Sequence, residues 1–307
     1  KAPELRLELG ARALAPGAEF YVVRMEGTAI GVGSSRLDTI PDGFLLDDAL
    51  ILDVPAMGAQ HRAVTRTRIE LTRGLALKSF DYSLDSVLGR FGVRGAVKED
   101  SVLAVVVEAG GEPERLRIPR GEDPLLPAGL PLRLAAAGEL REGRSRRVRL
   151  FDPSTLDGRD VEFHITDIDT LIVPDTAIHD PETRRWRVGS RDTVAAWRVE
   201  EAFAGVRVTS WLDEDGRVVR AESPMGMTLE RTAYELAQQE WEDARTDLAR
   251  ADGYGAIIES TAIASNVRVG AGEDAAERLA VRLLGVDLHG FDLTGGRQTL
   301  RGDTLYV

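Results

Sequence analysis

Four acidic side chains crowd around one glycine in the segment TSWLDEDGRVVRAE, where they could bind a cation or act as paired carboxylates in acid–base catalysis. They are Asp213, Glu214, Asp215 and Glu222. A calcium loop of the EF-hand type needs a ligand at every second position, but no third short ligand follows Asp215, and Val218 and Val219 come next. Asp215-Gly216 between two alternating apolar runs instead favours a hairpin. The segment predicts a solvent-exposed turn, with a metal site and catalytic carboxylates as weaker alternatives.

Two further motifs could do chemistry but lack the partners that the chemistry needs. His164 stands near Asp167 and Asp169 in FHITDIDT, but tight metal sites usually need three or four ligands, and no other histidine is spaced to complete one. GAGEDA at 270–275 matches a dinucleotide-binding GxGxxA, but the residues after it alternate like strands and do not predict the required helix. We expect a solvated histidine and a flexible loop.

Nucleophilic catalysis has no recognisable site in the sequence. The chain contains no cysteine, which excludes disulfides, thiolate ligands and cysteine nucleophiles. The GxSxG nucleophile elbow, HExxH and the phosphate-binding P-loop are absent as well. We therefore predict no catalytic residue, no cofactor and no metal, with a hydrolase of unrecognised site as a remaining alternative.

Charge and hydropathy limit the possible partners. Lys and Arg number 39 against 51 Asp and Glu, for a net charge of −12, so nucleic-acid binding is not expected. No apolar run approaches the ~20 residues that span a bilayer. An arginine-rich stretch at 141–149 could bind an anionic head group or an acidic partner, but such runs are usually solvated strand faces.

The elements that would position a site are mainly β-strands. After an N-terminal segment at 1–17, residues 18–232 alternate polar and apolar positions with a turn signal about every ten residues, which predicts a large antiparallel sheet. The apolar segment 125–140 interrupts this pattern and predicts a short helix, with Pro131 near its first turn, that covers the sheet. A polar helix at 233–253 should link this domain to a β-rich segment at 254–307.

Several stretches resemble a known fold family. YVVRMEGTAIGVGSSRLD is similar to the opening hairpin of bacterial exported proteins with a LolA-like β half-barrel. LFDPSTL, WLDEDGRVVRAESPMGMTLERT and the segment from YGAIIESTAIASNVRV to Val307 resemble the region before a transglutaminase-like domain. The resemblance implies a strongly curved antiparallel sheet with a helix in its concavity, an envelope location (periplasmic or extracellular), and a Cys–His–Asp module beyond Val307.

The resemblance and the apolar pattern together predict a non-catalytic binding or positioning module. In LolA-like proteins the groove between sheet and helix holds acyl chains, so the expected ligand is lipophilic or peptide-like. The residues expected to line the groove are Phe80, Tyr82, Leu126, Leu130, Leu132 and Trp197. The alternative is a structural spacer or interaction domain whose concavity is filled by its own side chains.

Overall fold

A computed structural model describes residues 2–56, 59–87, 89–98, 102–119, 125–203, 206–224, 226–250, 280–282 and 299–306. The chain forms two compact units, 1–260 and 261–307. Motif GAGEDA at 270–275 and most of the strands predicted for 254–307 lie outside the described residues. Within the described part, no helix combines the length and apolar character needed to cross a membrane.

The first unit is built on one antiparallel sheet of fourteen strands. Eight of its strands precede the helical segment at 127–136: β1 (Gly17–Met25), β2 (Thr28–Ile40), β3 (Gly43–Ala56), β4 (Ala59–Thr72), β5 (Leu77–Ser86), β6 (Gly89–Lys98), β7 (Val102–Glu108) and β8 (Glu114–Pro119). After it come β9 (Ser145–Asp152), β10 (Asp157–Asp180), β11 (Arg185–Phe203), β12 (Val206–Leu212), β13 (Val218–Glu222) and β14 (Met227–Thr232). The order is β8 to β1, then β14 back to β9, so β1–β14 is the one pairing between strands distant in the chain.

The sheet curls without closing. Its two end strands, β8 and β9, each pair on one side in this order. Nevertheless Phe80 of β5 and Phe151 of β9, ten strand positions apart, bring their ring centroids within 5.8 Å. The strongly curved antiparallel sheet predicted from the sequence is therefore confirmed.

Alternation along each strand divides the sheet into an inner and an outer face. The first apolar cluster on the inner face draws on β2 to β7 and includes Ile69, Phe80 and Val105. The second draws on β9 to β12 and includes Phe163 and Ile165, both fully buried. Two separate apolar surfaces, one from each end of the sheet, thus need a cover.

The cover is the predicted helix, α2 (Leu130–Ala136), preceded by a 3-10 turn at Pro127–Gly129. Pro131 lies in its first turn, where a missing backbone N–H costs little. Leu132 packs into the first inner cluster, whereas Leu130 and Leu134 pack into the second. Because α2 is apolar on both sides, it joins the two ends of the curled sheet.

A second helix, α1 (Ala2–Ala11), supports α2. A Cβ on Gly10 would stand 1.8 Å from the carbonyl oxygen of Ala136, so only glycine permits this approach of the two helices. Leu7, Ala11 and Leu14 add to the first inner cluster. The N-terminal segment is therefore part of the core.

The outer face is partly covered by a bent hairpin. β10 and β11 continue past their neighbours, since β9 pairs only with 157–164 and β12 only with 197–203. Bulges in β10 between Ile165 and Asp167 and around Thr176 bend this distal hairpin, defined as residues 167–196. Val173 and Ala196 pack there against Trp211 of β12 and Val219 of β13.

Helix α3 (Tyr234–Arg250), which was predicted from its strong helix formers, packs on the outer face of β1 and β2. Its Gln239 exchanges two hydrogen bonds with the backbone of Trp186 in the distal hairpin. The described part of the second unit is a three-stranded sheet of β15 (Ala280–Arg282), β16 (Thr299–Arg301) and β17 (Thr304–Tyr306), with β17 central. This agrees with the predicted small C-terminal β segment.

Candidate functional site

The residues predicted to line a groove lie in the filled interior. Phe80, Leu126 and Leu132 share the first inner cluster and are 2–4% exposed. Leu130 is equally buried in the second cluster, against which Trp197 packs while only partly buried. Tyr82 is half-buried and makes an edge contact with the ring of Phe91. The structure therefore places Leu130 and Leu132 on α2 itself and brings the other four predicted residues around this helix.

A cavity of about 410 Å³ lies elsewhere, and none of those six residues lines it. One wall is the start of β1 at 18–20, and a second is the junction of β14 and α3 at 231–235. The third wall is the distal hairpin, which contributes residues 173–175, 192 and 194. We call this cavity the hairpin cleft.

The hairpin wall of the cleft changes from apolar to acidic along one face. Val173 and Val194 face inward, and Val173 is paired across the strands with Asp192. Asp175 stands at the bulge beside Pro174 and accepts a hydrogen bond of 3.1 Å from the Ser190 hydroxyl. The strand register thus places the carboxylates of Asp175 and Asp192 in the lining of the cleft, next to the apolar contact made by Val173.

The inner face beside the cleft carries a partly buried ion network. Arg231 donates to Asp213 at 2.8 Å and lies 3.4 Å from Glu19, which also pairs with Arg217. Burial acts to lower the pKa of Arg231, but the carboxylates of Asp213 and Glu19 outweigh it and raise that pKa. Burial raises the pKa of the neighbouring Tyr21 phenol, because the ionised form of a phenol is the charged one. Two guanidinium groups and two carboxylates balance here, so the network is neutral.

The hydrogen bonds of Asp213 show that the acidic segment 213–216 is a hairpin turn. The Oδ1 of Asp213 accepts hydrogen bonds from the backbone of Asp215 and Arg217, which closes the turn between β12 and β13. Gly216 adopts φ +75°, as the hairpin prediction requires. The expected solvent exposure holds for Glu214 but was wrong for Gly216, which is buried and where a Cβ would stand 2.3 Å from the Pro131 carbonyl oxygen of α2.

Other sequence candidates have local partners. His164 is exposed opposite the buried Phe163, and Asp169 accepts hydrogen bonds of 2.7 Å from both Arg198 and Trp211. The arginine-rich stretch faces acids at 3.1–3.7 Å: Arg144 and Arg146 pair with Glu139, Arg147 with Glu162, and Arg149 with Asp160. Nowhere in the described residues do three or more histidine or acidic side chains converge as metal ligands.

Sequence patterns did not reveal the hairpin cleft, because its walls come from three distant stretches of the chain. Phe20, Asp192 and Tyr234 approach one another only because β1 pairs with β14 and the distal hairpin bends back. A weak signal was present: Pro174 and Asp175 interrupt the alternation of β10, and such breaks mark bulges.

Comparisons with known proteins identify a fold but no family. Neither a protein-family model nor a curated protein matches the chain. A beta-barrel-like protein of the domain of unknown function DUF1849 from Brucella abortus is similar in structure, with a TM-score of 0.50 and 13% identity over 72% of this chain and 97% of that one. A DUF1089 family protein from Pseudomonas aeruginosa aligns with a TM-score of 0.36 and 13% identity, over 62% and 89% of the two chains. The first similarity supports the barrel-like architecture.

Proposed function

We propose that this protein is a non-catalytic binding or positioning module of the bacterial cell envelope, located in the periplasm or outside the cell. In this proposal it stands before a transglutaminase-like domain and holds a lipophilic or peptide-like ligand between the curved sheet and α2. The proposal rests on the resemblance to LolA-like half-barrels and on the barrel-like fold.

The two-sided packing of α2 is the observation that carries the proposal. Leu132 fills the space over one apolar surface, and Leu130 and Leu134 fill it over the other. A seven-residue helix has little stability of its own and depends on this packing. An outward movement of α2 would join the two surfaces into one apolar groove, which is the kind of surface that binds acyl chains.

A structural spacer is the second candidate, and the dense interior favours it. Phe80 and Leu126 are nearly inaccessible, and Phe80 already contacts the ring of Phe151. If α2 never leaves, the module contributes only its shape and its outer surface.

Titration with a dansyl-labelled fatty acid distinguishes the two candidates. A carrier binds this probe in the micromolar range and shifts its emission, and Leu132→Trp weakens the binding because the larger ring occupies the groove. The matched control is Val87→Trp, which adds the same ring at a residue that is 64% exposed and should leave binding unchanged. A spacer binds no probe, and Leu132→Trp then costs about 1–3 kcal/mol of stability through overpacking.

Movement of α2 can be followed separately with a single thiol. The chain has no cysteine, so Leu132→Cys introduces one reporter at a position that is 4% exposed. A carrier changes the rate of thiol labelling when the fatty acid is added, while a cysteine at the exposed Thr183 reacts at a constant rate. An unchanged rate at both positions contradicts ligand entry beneath α2.

The placement in a larger protein has its own test. The reading frame after Val307 should encode a domain with the Cys–His–Asp set of a transglutaminase-like fold. Cell fractionation should recover the protein outside the cytoplasm, and recovery in the cytoplasm would contradict the envelope location.

A further inference from the structure

The hairpin cleft has the volume of a small-molecule site. Its volume of about 410 Å³ falls within the roughly 300–1,000 Å³ usual for such sites. Three separate stretches of the chain form its walls, so it is a feature of the folded unit and not the interior of one loop. The cleft lies apart from α2, so a ligand bound in it is independent of the proposed function.

The charge of the cleft is unbalanced. Asp175, Asp192 and Glu235 all line it, and neither Asp192 nor Glu235 has an ion-pair partner among the residues that the structure describes. The cation in its lining, Arg231, is already held by Asp213 and Glu19. The cleft therefore carries an excess of negative charge, which attracts cations electrostatically.

An aromatic pair at the same cleft gives an observation independent of the acids. Tyr234 is 52% exposed, which is unusual for so large a ring. It makes an edge contact with Phe20, with the two ring centroids 5.2 Å apart. An exposed phenol ring beside carboxylates is the surface that attracts organic cations, because the face of the ring is electronegative.

The acids of the cleft do not form a metal site. The described acids nowhere converge as metal ligands, which leaves a small metal ion without a coordination shell. A ligand that reaches several carboxylates must carry N–H donors and an apolar stem for the aromatic wall. We propose that the hairpin cleft binds an organic cation bearing a primary ammonium or guanidinium group, supplied either by a free amine or by a lysine or arginine side chain.

Calorimetric titration with two matched probes tests this proposal. N-acetyl-lysine methylamide carries the ammonium group, and N-acetyl-norleucine methylamide has a similar apolar stem without the charge. The full chain should bind the lysine probe and not the norleucine probe, and the affinity should fall as salt is raised towards about 0.15 M. Equal binding of the two probes overturns the proposal, and so does a failure to bind both the lysine probe and 1,4-diaminobutane.

Charge-matched variants locate the binding. The double variant Asp175→Asn/Asp192→Asn should weaken the lysine probe at least about tenfold, which is about 1.4 kcal/mol. The control Asp42→Asn/Glu112→Gln changes the net charge equally at two exposed turns and should bind like the wild type. Equal weakening in both contradicts a site in the cleft. If the cleft double variant does not fold, Glu235→Gln provides the same comparison against Glu112→Gln.

The source of the cation is decided by the second amine. Tighter binding of 1,4-diaminobutane than of the lysine probe indicates a free diamine, and the reverse order indicates a peptide side chain. Tyr234→Leu should weaken whichever amine binds, since it removes the aromatic face and keeps an apolar side chain. Unchanged binding in Tyr234→Leu and in the cleft double variant would place the amine elsewhere and overturn the proposal.

Discussion

Two glycines in turns show that the same backbone conformation has different consequences when another element covers one of them. Gly216 and Gly110 both have φ near +75°, but Gly216 lies beneath the Pro131 carbonyl, whereas a Cβ on Gly110 meets nothing within 4 Å. Backbone conformation alone makes these two glycines equivalent. Contact with α2 separates them.

We predict that Gly216→Ala destabilises the protein more than Gly110→Ala does. Positive φ costs each alanine about 1 kcal/mol, and only at position 216 does a clash with backbone add to it. The expected loss is about 1 kcal/mol at Gly110 and about 2–4 kcal/mol at Gly216. Urea denaturation measures both, and equal losses would show that α2 does not rest on this turn.

Asp48 is the residue whose ionisation should be visible in the pH dependence of stability. Burial chiefly raises its pKa to about 6, the Asp47 carboxylate adds to this, and the Ser35 hydroxyl acts in the opposite direction. Its buried Oδ1 has no hydrogen-bond partner among the described residues. The folded state therefore binds this proton more tightly than the unfolded chain does, and Asp48 costs stability as the pH rises from about 4 to about 6.

We expect Asp48→Asn to remove that cost. The unfolding free energy of the variant minus that of the wild type should be about 1–3 kcal/mol larger at pH 7 than at pH 4. Denaturation across pH 4–7 measures this, with Asp42→Asn in the exposed β2–β3 turn as the control. A pH-independent difference would mean that Asp48 is solvated in the folded protein.

At the scale of elements, α3 and the distal hairpin are attached to the outer face of the sheet by the same arrangement of side chains. Asp53 accepts a hydrogen bond from the indole N–H of Trp241 in α3. The guanidinium carbons of Arg62 and Arg245 lie 5.2 and 5.4 Å from the centroid of that ring. Where the distal hairpin docks, Asp169 bonds the indole of Trp211, with Arg198 and Arg220 over its ring at 5.5 and 5.4 Å. Each layer thus combines a buried ring with a charged hydrogen bond.

Asp53→Asn should loosen α3. Asp53 is 5% exposed and lies 3.0 and 3.1 Å from Arg62 and Arg245, so losing its charge weakens several charge-assisted hydrogen bonds. The expected loss is about 2 kcal/mol of unfolding free energy. Asp47→Asn in the same strand removes an exposed pair with Arg68 and should cost less than about 0.5 kcal/mol. Similar losses in both would argue against a buried attachment of α3.

At the scale of the whole molecule, the first unit is a scaffold with two distinct interiors. The concave interior is apolar and occupied by α2, whereas the hairpin cleft is acidic and open. The cleft presents carboxylates and an exposed aromatic ring together, and a polar ligand has direct access to it.

We predict that the whole chain turns over no amide, ester or glutamine transamidation substrate. It has no cysteine and no serine elbow, and nucleophilic catalysis needs a nucleophile with an adjacent base. Purified protein should match buffer over a generic substrate panel. Turnover above buffer that co-purifies with the protein, and is lost when it is denatured, would contradict this prediction.

The sequence by itself determined the local architecture. Alternation predicted the antiparallel strands, and Asp215-Gly216 marked a hairpin turn. The residue pattern predicted one helix within 125–140 and another at 233–253, which the structure has at 130–136 and 234–250. These features depend on neighbours a few residues apart, so periodicity reveals them. The sequence also placed Leu130 and Leu132 between the helix and the sheet, because an apolar helix must be covered.

The tertiary structure alone decided how far the sheet curls and where a ligand could enter. The Phe80–Phe151 contact, the covering of Gly216 by α2 and the return of the distal hairpin to α3 follow from strand register and bulges summed over fourteen strands. No local pattern encodes that sum, because each bulge and twist is a small rotation whose effect appears only across the sheet. For that reason the predicted groove residues lie around α2, whereas the hairpin cleft was not predicted.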